Sequence, residues 1–64
     1  MTLLEEYYKS RDNEPTDPAK KILFAVMHDL LGRRGFRQEW DGFDDEIKEE
    51  ILDTNINTVR FNIP

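Results

Sequence analysis

Residues 36–53 read FRQEWDGFDDEIKEEILD, and the spacing of the apolar side chains in this stretch decides the fold class. Phe36, Trp40, Phe43, Ile47 and Ile51 are separated by steps of four, three, four and four. That is the helical period; a strand would alternate at every second residue. Gly42 falls inside the pattern, and glycine in a helix interior costs about 1 kcal/mol relative to alanine. A short helical turn at 36–41 feeding a longer helix at 43–56 is therefore expected, with a kink or break between them.

The polar residues between those apolar steps are mostly acids. An EF-hand register starting at Asp41 fails, because its third position is Phe43 and its sixth is Glu46. Asp41, Asp44 and Asp45 would make a weaker divalent site, but negative charge in the first turn of a helix is stabilised by the macrodipole without any ligand. Glu46, Glu49, Glu50 and Asp53 continue the wet side of that helix. They are a solvated face or a docking surface for a basic partner. A glycosidase-type acid pair would need a pocket with separated pKa values, which so small a domain gives no reason to expect.

Upstream, Asp17-Pro18 supplies a cap followed by proline at the first helical position, so a helix is predicted over 17–33. Its middle, ILFAVM at residues 22–27, is apolar on every side, which predicts a central helix with neighbours on two faces. Ile22, Leu23, Val26 and Leu30 form one face, expected in the core; Phe24, Met27 and Leu31 form the other, a candidate oligomer interface. Arg33 and Arg34 suit a helix C-terminus, and Gly35 is the expected left-handed terminator. With Arg37 these two arginines form the chain's basic cluster and the candidate anion-binding residues. No Gly-rich loop with a following lysine accompanies them.

At the N-terminus, Thr2-Leu3-Leu4-Glu5 fits a capping box and opens a helix expected over 2–11, with Leu3, Leu4, Tyr7 and Tyr8 as its apolar stripe. SRDNEPTD at 10–17 is turn chemistry and reads as a linker. His28, the single histidine, has no second histidine or cysteine for a transition metal and no nucleophile motif beside it; a hydrogen-bonded boundary residue is expected. Downstream of Asp53 the helix formers become mediocre, and Val59, Phe61 and Ile63 alternate with Arg60 and Asn62 in strand fashion. The tail at 58–64 is thus expected to be extended, packing irregularly over the core or pairing with another chain through Val59, Phe61 and Ile63.

The whole chain has 64 residues, no cysteine, 36% charged residues and a formal net charge of −5. A chain of this length buries only about 60% of its unfolded surface, and neither disulfides nor thiolate metal sites can reinforce it; self-association is the remaining staple. The acidic balance repels phosphate backbones, so direct nucleic-acid binding is not expected. The first residues carry acids where a signal peptide needs a basic region, and no apolar run approaches the roughly 20 residues of a membrane span. A soluble, cytoplasmic protein without membrane association, cofactor or metal is the expectation.

LLGRRGFRQEWDGFDDEIKEEILDT, in the second half of the chain, resembles a segment of many small proteins encoded by tailed bacteriophages and prophages. The shared pattern is carried by Leu31, Arg33, Arg34, Gly35, Phe36, Arg37, Gln38, Trp40, Asp41, Phe43, Asp44, Ile47, Glu50 and Ile51. In that pattern a tryptophan often follows Glu-Thr in the last helix; Asn55 stands in its place here. The resemblance implies a phage-encoded protein acting in a host cytoplasm.

These readings converge on an all-α domain: a small three-helix bundle with a short connecting helical turn and an extended C-terminal tail. The expected core is Leu4, Tyr8, Ile22, Leu23, Val26, Leu30, Phe36, Trp40, Phe43, Ile47 and Ile51. The expected function is non-enzymatic binding of a host or phage protein through an acidic or apolar helix face. A structural homo-oligomer and a small-ligand or nucleotide binder at a subunit interface, countering host defence, are the alternatives.

Overall fold

The computed structural model describes residues 2–63. Local chemistry sets where each helix begins. The Thr2 hydroxyl accepts from the Glu5 N–H at 3.2 Å and the Glu5 carboxylate accepts from the Thr2 N–H at 3.3 Å, closing the capping box that opens α1, Leu3–Lys9. The Thr2 N–H foremost, and then the Thr2 hydroxyl 3.0 Å from Oε1, hold the Glu5 carboxyl below its ordinary pKa. α1 stops short of the expected residue 11, because the N–H groups of Ser10, Asp12 and Asn13 turn back onto the carbonyls of Tyr7 and Lys9. Asp17 caps α2, Pro18–Leu31, through a 2.9 Å bond from the Ala19 N–H, with Pro18 at the first position as expected.

The middle of the chain differs from expectation. α2 ends at Leu31 on Gly32, whose φ of −80° and ψ of −10° are right-handed, and Arg33 then takes an extended conformation that starts α3, Arg34–Gly42. Gly35 is therefore no terminator: it lies inside α3, and among the described residues no glycine has positive φ. What was expected as a turn at 36–41 is a nine-residue helix. Asp44 caps the next helix by accepting from the Ile47 N–H at 2.9 Å, so α4 begins at Asp45 rather than at Phe43.

α4 runs from Asp45 to Asn62, which corrects the extended tail over 58–62; Ile63 is extended, and Pro64 lies outside the described residues. Val59 and Ile63 do alternate with polar residues, but they are also four apart and continue the stripe of Leu52 and Ile56, at steps of four, three and four. A core-facing stripe outweighs weak local propensity. The weak formers are accommodated by side chains that bond back one turn: Asn55 to the Ile51 carbonyl at 2.7 Å, Thr58 to Thr54 at 3.1 Å and Asn62 to Thr58 at 2.8 Å.

α4 packs along α1 and α2, and α3 packs against α2. The buried residues are Leu3, Leu4 and Tyr7 from α1, Ala19, Leu23, Phe24 and Met27 from α2, Trp40 from α3, and Leu52 and Ile56 from α4. Of the expected core, Leu4, Leu23 and Trp40 are buried, and Leu30, Phe43 and Ile51 are partly buried against it. Tyr8, Ile22, Val26, Phe36 and Ile47 are instead exposed. On α2 the inner face is rotated from the expected one: Leu23 stays inside, but Ile22 and Val26 are 43% and 50% exposed, whereas Phe24 and Met27 are each 3% exposed. The period of an all-apolar helix cannot choose between its faces, and the larger Phe24 and Met27 side chains bury more apolar area than Ile22 and Val26 would. On α1, Tyr7 takes the inner place and meets Phe24 edge-on, with ring centroids 5.4 Å apart. No helix among the described residues is long and apolar enough to cross a membrane.

Gly35 offers a direct check on α3. A Cβ placed there meets nothing within 4 Å, and its φ suits any L residue. Gly35→Ala is expected to raise the unfolding free energy by roughly 0.4–1 kcal/mol, read as a higher urea midpoint; an unchanged or lower midpoint would contradict a helical Gly35.

Candidate functional site

α4 divides its acids between two jobs. Glu49 turns inward, toward the start of α1, where its two carboxylate oxygens accept from the Leu3 and Leu4 N–H groups at 2.9 and 3.0 Å. This residue belongs to the fold, which corrects its expected place on a partner-binding face. The neighbouring Glu46, Glu50 and Asp53 are exposed, and none makes an ion pair among the described residues. Their spacing continues through Asn57 to Phe61, in steps of four, three, four and four, so all five lie along one outer face of α4. Phe61 is 89% exposed, the most exposed of the large apolar side chains.

The expected oligomer residues do not form one surface. Phe24 and Met27 belong to the core, Leu31, Val59 and Ile63 are partly buried against it, and only Phe61 faces solvent. The basic cluster is also dispersed. Arg33 pairs with Asp29 at 3.3 Å, Arg37 lies 3.9 Å from Asp41, and Arg34 has no acidic partner among the described residues.

Asp17 and Arg60 join the N-terminus of α2 to the last turn of α4, Nη2 to Oδ2, at 2.9 Å. The Arg60 hydrogen bond, followed by that from the Ala19 N–H, holds the Asp17 carboxyl below its ordinary 3.8. A depressed folded-state pKa means that the ionised form favours the fold above the unfolded carboxylate pKa, and this contribution is lost as pH falls through the lower, folded value. Arg60→Gln is expected to move the Asp17 titration, followed by NMR, back toward its ordinary value and to flatten the acid limb of the stability profile. A titration that stays where it was would remove the bond's role.

A second feature lies between α1, α2 and α3: a half-open cleft of about 390 Å³ lined by Tyr7, Tyr8, Arg11, Asp12, His28, Leu31, Gly32, Arg37, Trp40 and Asp41. His28 crosses from α2 to α1, with Nδ1 3.5 Å from the Tyr7 hydroxyl and Nε2 3.3 Å from the Ser10 hydroxyl. Ser10 already donates to the Tyr7 carbonyl, so Nε2 is assigned the donor role and Nδ1 accepts from Tyr7. His28 is thus hydrogen-bonded as expected, though at the surface rather than the boundary. Burial raises the pKa of the Tyr7 phenol, with Tyr8 adding to the shift and Arg11 and Arg37 opposing it. The indole N–H of Trp40 is buried and has no acceptor among the described residues. Sequence reading placed Tyr7 and Tyr8 in a packing stripe and Arg11 in a linker. No local pattern could unite them, because the cleft exists only once three helices meet.

The chain matches no protein-family model, no curated protein and no solved structure against which it was compared.

Proposed function

We propose that this chain is a non-enzymatic interaction protein, phage-encoded, that docks onto a basic protein of the host or the phage through the outer face of α4. One observation carries the reading: three carboxylates without an ion pair among the described residues, Glu46, Glu50 and Asp53, run along the same helical face to a phenylalanine that is 89% exposed. An isolated apolar anchor beside a field of one sign suits a partner with an apolar pocket and a basic rim. The pocket supplies affinity and the charges steer association. Burying a phenylalanine side chain contributes roughly 1.5–3 kcal/mol, enough for a tenfold or larger difference in affinity.

Capture from a bacterial lysate with the full chain, quantified by mass spectrometry, tests this with two variants that leave the core untouched. Phe61→Ser and the charge reversal E46K/E50K/D53K are each expected to lose the same partner while keeping the wild-type helical content. Equal recovery by wild type and both variants would overturn the proposal.

Self-association draws on different residues. Ile22, Ala25 and Val26 form an exposed apolar arc on the outer side of α2. Light scattering across a range of concentrations, repeated with Val26→Lys, separates this reading from the first: a concentration-dependent mass abolished by the lysine would favour an oligomer built on α2.

A further inference from the structure

We infer that the cleft between α1, α2 and α3 is a binding site for a small oxyanion carried on a planar ring. The inference is independent of the α4 face and uses none of its residues. Four observations meet in the cleft.

First, it has the volume of a small-molecule site. At about 390 Å³ it falls at the lower end of the range of roughly 300–1,000 Å³ that such sites occupy. Second, two guanidinium groups reach it from different helical segments, Arg11 from just beyond α1 and Arg37 from α3, and both act electrostatically on the same Tyr7 phenol. Arg11 has no acidic partner among the described residues, and Arg37 is held only at 3.9 Å by Asp41, so both keep free donors. A planar fork of donors suits a carboxylate or phosphate.

Third, the wall includes Trp40, 2% exposed, whose indole N–H is the one buried side-chain polar group left without a partner among the described residues. Buried donors are ordinarily satisfied, and Trp40, which lines the cleft, carries the exception. Fourth, the rings of Tyr7, Tyr8 and His28 line the same cleft, and Tyr8 is 54% exposed, leaving a face for a flat ligand. Asp12 and Asp41 complete the lining and balance the two arginines. They exclude a bare polyanion and favour a ring that bears its own hydrogen-bond donor. An aminopurine mononucleotide and a hydroxybenzoate share this chemistry.

Because Trp40 is the only tryptophan and forms part of the wall, its fluorescence reports occupancy directly. The full chain is titrated separately with adenosine 5′-monophosphate, 4-hydroxybenzoate, adenosine, phenol and inorganic phosphate, with calorimetry as the second readout. A saturable change is expected with at least one of the two ringed anions, and the stronger of them tells phosphate from carboxylate. Adenosine or phenol, lacking the oxyanion, and inorganic phosphate, lacking the ring, are expected to bind about tenfold more weakly or less. Arg11→Gln and Arg37→Gln change exposed side chains that leave the core intact, and each is expected to weaken binding by about tenfold. Absence of saturable binding by both ringed anions, equal binding by inorganic phosphate, or wild-type affinity in both glutamine variants would each overturn the inference.

Discussion

Leu52→Ala is expected to remove a large share of the protein's stability and lower its urea midpoint sharply, while Ile47→Ala, one and a half turns earlier in the same helix, is expected to be nearly silent. Leu52 is 0% exposed, and the helix that carries it packs along both α1 and α2. Truncating such a leucine removes its transfer free energy and leaves a cavity that the surroundings fill only in part, at a cost of about 2–5 kcal/mol. A domain of this length has a total stability of roughly 3–10 kcal/mol. One side chain therefore consumes a large fraction of the whole margin. Ile47 is 42% exposed and has much less to lose, so its truncation should cost under about 1 kcal/mol. Urea unfolding followed by circular dichroism measures both. A larger loss at Ile47 than at Leu52 would mean that α4 is rotated from the orientation described above.

The pair is informative because the periodicity of residues 36–53 points the other way. Steps of four and three link Trp40, Phe43, Ile47 and Ile51 as though they lay on one continuous helix. The chain breaks that helix at Phe43, which takes an extended ψ of 146°, and α4 restarts with its own phase, set by Leu52, Ile56, Val59 and Ile63. A period read across a break selects the wrong face. α2 meets a different limit: Ile22 and Val26 form as good an apolar row as Leu23 and Met27, and the helices packed against it separate inside from outside.

Features fixed within a few residues were legible in the sequence. Thr2 with Glu5, and Asp17 with Pro18, announce helix starts because the bonding groups are neighbours along the chain. The all-α class followed from the same helical period, and so did the acidic outer side of α4. Features that depend on distant segments were not legible. The cleft needs Arg11, His28 and Arg37 from three parts of the chain, and the Tyr7–His28–Ser10 contacts appear only when α1 lies beside α2. Glu49 is the sharpest instance. By position it is one more acid in an acidic helix, and nothing local distinguishes it from Glu50.

Glu49→Gln is expected to destabilise the protein by about 1.5–3 kcal/mol, the range for hydrogen bonds to a charged group, whereas Glu50→Gln should change little. The reason lies in the unsatisfied amides that every helix start presents. At α1 the Thr2 N–H bonds the Glu5 carboxylate, the Leu3 and Leu4 N–H groups bond the two oxygens of Glu49, and the Glu5 N–H bonds the Thr2 hydroxyl. Two of the four amides thus depend on one side chain 45 and 46 residues away. A glutamine keeps the shape but offers one oxygen where two acceptors are needed, and turns an NH2 group toward the remaining N–H. It also removes the negative charge from the positive end of the helix. α1, seven residues long, is too short to hold its helical form alone and relies on docking through Leu3, Leu4 and Tyr7. The loss should therefore appear first as faster hydrogen exchange in α1 than in α4, at a lower overall urea midpoint. Identical midpoints for the two glutamine variants would show that the Glu49 clamp contributes nothing. A selective loosening of α1 would instead show that this acid tethers the N-terminal helix to α4, a task its neighbour Glu50 does not share.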